Sequence, residues 1–259
     1  MLLVLTAADD DAALWLAHAF RESGASCVVV SVEALSFARR FSHQVSVEGF
    51  TTRIELAGGE VVCSETLLGV VNRMSWPPSL AWGSAERTER DYVTAELHAL
   101  TVSWLAALPC PVRNRPSPDS LAGPVLAPVV AAVEAAAAGL DCPALSLGTG
   151  SGRPPGPALR LAAIDAAGTA AQPRHVVCLD AGVTSDLVPV DVSEAITRFL
   201  LAVGLTESVV GLDFLVAGGR WWFAGLTPMP DLRLGGHRLV GRLLEVLSGE
   251  DRGSEGGGS

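Results

Sequence analysis

Two acids and a glycine run are the residues of this chain best placed to do chemistry. Asp213 stands in an apolar stretch, 211–216, that reads as a strand. Ala217-Gly218-Gly219 turns the chain, and Trp221-Trp222-Phe223 opens a second β-prone run. Pro228 and Pro230 forbid regular ladder pairing beyond it, and Asp231 follows in the loop. An acid on one strand of a hairpin, with a loop just past the second, is an arrangement that can hold a divalent cation and a nucleotide, because hard cations take oxygen ligands. Asp231 could swing toward Asp213 as a second ligand; read blandly, it is an ordinary turn acid in Pro-Asp-Leu. Upstream, Gly148, Gly150 and Gly152 in GTGSG could cradle phosphate oxygens with backbone N–H groups, and Arg174, Arg220 or Arg233 could bind an anion. The competing reading of 146–173 is a connector, because Pro154-Pro155-Gly156-Pro157 and an Ala/Gly stretch follow directly. We adopt the connector.

Composition narrows the chemistry further. The 259 residues are 49% hydrophobic and 18% charged, enough for one compact unit with two lobes and too apolar for disorder. A formal net charge of -10 argues against nucleic acid and anionic membrane as partners. All 18 basic residues are Arg. Without Lys there is no Schiff-base amine, no P-loop Lys and no Lys on nucleotide phosphates. The five cysteines are scattered, odd in number and free of CxxC spacing, so free thiols are expected and no zinc site. The chain shows neither a signal-peptide pattern nor a long apolar run, which predicts a cytoplasmic protein. The Gly/Ser-rich end, 250–259, reads as a disordered tail.

The elements that must position these residues follow from periodicity. Residues 2–6 and 27–32 are apolar runs suited to a parallel sheet buried on both faces. Between them lies a helix with Ala13, Leu14, Leu16, Ala17 and Phe20 on its apolar side, capped by one of Asp9, Asp10 or Asp11 and ended by Gly24. Residues 45–62 read as a hairpin turning at Gly58-Gly59, and 67–71 as a strand that ends in Asn72-Arg73. A long helix is predicted over 86–108, with Tyr92, Val93, Leu97, Leu100, Trp104 and Leu105 on a 3–4 spacing. A short strand and turn follow at 112–116, later strands at 174–190, a helix at 193–205, and a last helix carrying Leu239, Leu243, Leu244 and Leu247. His18, His98 and His175 fall in helix or strand patterns and are read as structural; His43 and His237 are read as loop residues.

The order of these pieces resembles the ATP-grasp superfamily. The βαβ start, the hairpin, VVNR, the Trp-Pro loop, the helix ERDYVTAELHAL and the run CPVRNRPSPDSLAGP look like the N-terminal domain of RimK-type ligases and graspetide synthetases. VVAAVEAAAAGLDCPAL is similar to the entry into the central lobe. The fold class expected is therefore α/β (α+β), with an N-terminal domain over 1–116, a helix and reduced central lobe over 117–172, and a C-terminal ATP-grasp-like remnant over 173–249. The resemblance implies ATP, Mg2+ and a metal-bearing acid at Asp213, with Glu-x-Asn on the next strand. Here Gly225 falls where Glu should stand and Thr227 where Asn should stand.

Those departures separate the readings. The favoured one is a degenerate, non-catalytic ATP-grasp-like protein with no cofactor, Asp213 surviving alone, that binds a precursor peptide or a pathway enzyme in peptide natural-product tailoring. The alternative is an ATP-dependent carboxylate–amine ligase using Asp213 and Asp231 for metal and Gly148, Gly150, Gly152 and Arg174 for phosphates. A third is a homodimeric interaction protein; a homo- or hetero-oligomer is expected in either binding case. Arg73 and Arg115, at strand ends on the carboxyl edge of the sheet, are the candidates for a peptide carboxylate, with salt bridges to Glu86, Glu89 or Asp91 as the bland alternative. Trp76, Trp82 and Trp222 are the candidate apolar contacts. Alternation puts Trp221 and Trp222 on opposite faces of their strand.

Overall fold

The structure, a computed structural model, describes residues 1–143 and 171–249. The chain divides into two compact units: Met1–Val125 with the helix that begins at Gly236, and Leu126–Gly235.

In the first unit, four parallel strands lie in the order β2-β1-β6-β7, with β1 Leu2–Thr6, β2 Cys27–Ser31, β6 Gly69–Asn72 and β7 Val112–Arg113. The β1 side chains are buried throughout, as strands covered on both faces require. Helix α1, Asp11–Glu22, crosses from β1 to β2 and buries Ala13, Leu16, Ala17 and Phe20, whereas Leu14 is exposed. A short helix α2, Val32–Ser36, follows β2, capped by the Ser31 hydroxyl, which accepts from Ala34 N. The predicted hairpin is a three-stranded meander, β3 Arg40–Ser46, β4 Gly49–Glu55 and β5 Val61–Cys63. The turn at Gly59 holds; the additional turn before Gly49, which sits at φ 135, was hidden by the polar run preceding it. His43 therefore lies in strand β3, bonded to Thr52 and to Ser103, and is not a loop residue.

Helix α3, Arg87–Ala107, matches the predicted length but not the predicted face. Only Thr101, Trp104 and Leu105 are buried along it, and Tyr92 is exposed. The apolar spacing is real, but the core takes only its last two turns. The last helix, α6 Gly236–Ser248, buries Leu239, Val240, Leu243 and Leu247 against α1 and β6. It approaches so closely that a Cβ on Gly69 would lie 2.7 Å from Leu247 Cβ, so position 69 admits only glycine.

In the second unit, four antiparallel strands lie in the order β11-β10-β8-β9, with β8 Gln172–Leu179, β9 Gly182–Val183, β10 Val209–Ala217 and β11 Arg220–Thr227. Helices α4, Pro128–Ala137, and α5, Val190–Ala202, pack on one face over Val176, Cys178, Val210, Leu212, Phe214 and Phe223. Pro128 opens α4 at a position where a missing N–H costs nothing.

The carboxyl edge of the parallel sheet is sealed from within. Asp10 N-caps α1, accepting from Ala13 N at 3.1 Å, and takes a second bond from the Thr6 hydroxyl at 3.0 Å. Arg73 donates to both of its oxygens, Nε to Oδ2 at 2.7 Å and Nη2 to Oδ1 at 3.1 Å. Arg73 is 4% exposed and cannot reach a peptide, which corrects its assignment as a carboxylate contact; its partner is the cap acid and not an acid of α3. Asn72 ties down the following loop, donating to Asn114 O at 2.8 Å and Leu121 O at 2.6 Å.

Burial pushes the Asp10 carboxyl up, but the Arg73 guanidinium, the cap bond and Thr6 together hold it below its ordinary value. A carboxyl with a depressed folded-state value stabilises the fold above the ordinary carboxylate range and loses that contribution as pH falls through the lower value. Arg73→Ala strands a buried carboxylate and is expected to cost about 3–5 kcal/mol. Urea unfolding at pH 7 checks this, and the difference between variant and wild type should shrink toward pH 3.

Candidate functional site

The hairpin β10–β11 is present with the predicted turn at Gly218 and Gly219, both at positive φ. A bulge between Asp213 and Phe214 changes which side chains share a face. Before it, Trp221 and Phe223 pack inward, edge-on to Phe214 at 5.5 and 6.1 Å between ring centroids. Beyond it, Asp213 and Gly225 face each other across the ladder, on the sheet face away from the core.

Asp213 also pairs in register with His175 on β8. Their side chains meet, His175 Nδ1 to Asp213 Oδ1, at 2.7 Å, with the Asp213 side chain 53% exposed and the His175 side chain 21%. The imidazole lies flat on the sheet. A Cβ on Gly211 would fall 2.5 Å from His175 Nε2, and 2.9 Å from the Thr227 methyl. Glycine at 211 therefore makes the seat, and Thr227 walls it. The Thr227 hydroxyl turns the other way and accepts from Met229 N at 3.1 Å, shaping the Pro228–Pro230 loop. His175 Nε2 is buried with no hydrogen-bond partner among the described residues. His175, read from the sequence as structural, is the partner of Asp213, one of the two acids best placed to do chemistry. Strand alternation places it on the Asp213 face, but only the pairing register brings the two together.

Asp231 does not join Asp213. Both its oxygens are taken by Arg233, Nε at 2.8 Å and Nη2 at 2.8 Å, and Oδ1 also accepts from Arg233 N at 3.1 Å. The guanidinium and that backbone bond hold the Asp231 carboxyl below its ordinary value, with His175 adding to the field. Asp231 is thus the turn acid of the bland reading. Among the described residues no three of His, Cys, Asp and Glu converge in a way that could hold a metal ion. Magnesium takes an octahedron of oxygens. The described residues at Asp213 offer one carboxylate already bonded to an imidazole, a bare Gly225 and a Thr227 hydroxyl spent on its own loop, and this set does not fit the ion.

The remaining candidates are scattered. Arg174 donates to Gln172 Oε1 at 3.1 Å. Arg220 forms a two-pronged pair with Asp141, at 3.1 and 2.9 Å, and stacks over Trp222 with its Cζ 4.6 Å from the ring centre. Arg115 donates from Nη1 to the carbonyls of Leu105 and Ala106, at 2.5 and 3.0 Å, closing the open end of α3. Trp76 and Trp82 stay partly outside, 37% and 48% exposed, in the loop that follows β6. Leu80, between them in sequence, is 46% exposed, and Leu80 N bonds to Ser36 Oγ, bringing this turn beside the exposed Phe37. Gly148, Gly150 and Gly152 lie outside the described residues.

No family model and no curated protein matches the chain. Solved structures do. The macrocyclase MdnC bound with precursor peptide MdnA, from Microcystis aeruginosa MRC, superposes with a TM-score of 0.65 at 11% identity, over 94% of this chain and 99% of that one. The ATP-grasp ligase PsnB complexed with minimal precursor gives 0.65 at 14% identity, over 96% and 98%. The RiPP-associated ATP-grasp ligase of Chryseobacterium gregarium, in complex with ADP and a leader and core peptide, gives 0.63 at 10% identity, over 94% and 96%. The chain has a mixed α/β, ATP-grasp-like fold. No helix among the described residues is long and apolar enough to cross a membrane.

The seat of His175 is tested by Gly211→Ala. The added methyl collides with the ring, and overpacking of this kind costs about 1–3 kcal/mol. The variant should melt at lower temperature, and its His175 ring resonances should shift as the bond to Asp213 breaks.

Proposed function

We propose that this protein is a non-catalytic relative of the peptide-modifying ATP-grasp ligases, and that it binds a precursor peptide or a partner enzyme of a ribosomal-peptide tailoring pathway. The observation that carries this reading is the Asp213–His175 bond, set against a bare Gly225. Phosphoryl transfer to a carboxylate needs the developing charge on the phosphate neutralised by metal ions and cationic side chains. In this chain the acid at the expected place is bonded to an imidazole, the facing position has no side chain, and no Lys stands anywhere in the sequence.

Peptide recognition is the part of the ligases' work that survives without those groups. MdnC was solved with its precursor peptide, and the Chryseobacterium enzyme with leader and core peptides. On this chain the exposed aromatic side chains Trp76 and Trp82 supply rigid apolar contact at low entropic cost. With Arg73 withdrawn into the core, these two side chains are the contacts on which the proposal rests.

A second reading has one observation in its favour. PsnB was solved with Mg and ADP, and Asp213 here keeps about half its side chain open to solvent. On that reading the chain is an ATP-dependent carboxylate–amine ligase with altered ligands.

Fluorescence anisotropy with labelled acidic and apolar leader peptides, in the absence of nucleotide, tests the binding reading. Binding without nucleotide is expected, and Trp76→Ala with Trp82→Ala should weaken it about tenfold or more. A panel that binds only when Mg-ATP is present overturns the proposal in favour of the ligase.

A further inference from the structure

We infer that His175 is a built-in substitute for a cation at Asp213, and that it closes a latent divalent-metal site which its removal, together with one carboxylate, would reopen. The inference deepens the non-catalytic reading above and rests on it only for the meaning of the site, not for the measurement.

Three features of the sheet face argue for it. First, the imidazole is committed. Its Nδ1 is 2.7 Å from Asp213 Oδ1, and its Nε2 is sealed against the strand without a partner. With Nδ1–H donating to the carboxylate and Nε2 shut off from solvent, neither nitrogen is open to a metal ion. A buried nitrogen left without a partner carries a cost, so the arrangement is held by what the other nitrogen gains at Asp213.

Second, the surroundings fit the ring and not an ion. Gly211 lacks the Cβ that would displace the ring, and Thr227 presents its methyl there while its hydroxyl serves Met229. The two positions at which the chain departs from the pattern implied by the resemblance thus have different surroundings. Thr227 lies with His175 over the bare Gly211. Gly225 takes no part in that contact.

Third, the room for a ligand is still there. A Cβ on Gly225 would lie 3.8 Å from Asp213 Oδ2, an ordinary contact, and Gly225 is not at positive φ. A carboxylate placed at 225 would reach across the ladder toward the free oxygen of Asp213 without strain. Asp231 would not compete, because Arg233 holds both of its oxygens.

The test is Mn2+ binding by electron paramagnetic resonance, in the full chain without peptide or nucleotide. The wild type should show no Asp213-dependent binding, and Gly225→Glu alone should bind weakly, because His175 still occupies Asp213. The double variant His175→Ala with Gly225→Glu should bind Mn2+ about tenfold tighter than either, since affinity follows ligand charge, and Asp213→Asn added to it should abolish the gain. His175→Asn with Gly225→Glu is the second variant, should the alanine form fail to fold. Wild-type Mn2+ binding that Asp213→Asn removes would overturn the inference, as would double variants that fold and bind no better than wild type. Either result leaves the peptide measurement independent, because no peptide enters this assay.

Discussion

On the outer face of the second unit's sheet, the Asp213 carboxylate is held by the imidazole on the neighbouring strand. The 2.7 Å bond between His175 and Asp213 organises everything near it. Gly211 stays bare because the ring and the Thr227 methyl both crowd its Cβ position, and the Thr227 hydroxyl accepts from Met229 N in the next loop. The bulge after Asp213 lets Trp221 and Phe223 keep to the core while Gly225 faces the acid. PsnB, one of the structures on which the chain superposes, was solved with Mg and ADP. Here the acid on β10 is bonded to an imidazole on β8, and the hairpin carries that pair on its outer face.

The same internal pairing governs the other charged candidates. Arg73 is buried on Asp10, which at the same time caps α1 and takes the Thr6 hydroxyl, so one carboxylate joins the ends of β1 and β6 to the start of a helix. Arg115 closes the carbonyl end of α3, Arg233 folds back on Asp231, and Arg220 spans Asp141 and the Trp222 ring. A buried or two-pronged pair of this kind specifies geometry more than it adds stability, because desolvation offsets much of the attraction. The consequence for function is direct. Among the residues nominated for binding, the side chains left facing outward with the largest apolar area are Trp76 and Trp82.

Much of this was legible in single residues and short patterns. The buried strands, the cap acid cluster, the Gly218-Gly219 turn and the helix lengths follow from periodicity and turn chemistry, and the order of pieces pointed to the ATP-grasp-like fold. Gly225 and Thr227 could be read from the hairpin itself as departures from what the resemblance implies. What could not be read was pairing across distance. Nothing local in PRHVV says that His175 will stand opposite Asp213, since that register is set by the whole sheet. Nor does the 3–4 spacing of α3 reveal that its first turns stay open, because periodicity reports an apolar stripe and not what covers it. Arg73 misled for a related reason: a strand-end Arg looks like a ligand contact until a cap acid from another loop is seen beside it.

The central claim is that the site no longer performs phosphoryl transfer. Phosphate release from Mg-ATP in the presence of a bound peptide tests it most directly, with Asp213→Asn as the reference. The account predicts that wild type and variant release phosphate at the same background rate. Peptide-dependent release by the wild type that Asp213→Asn abolishes would contradict it.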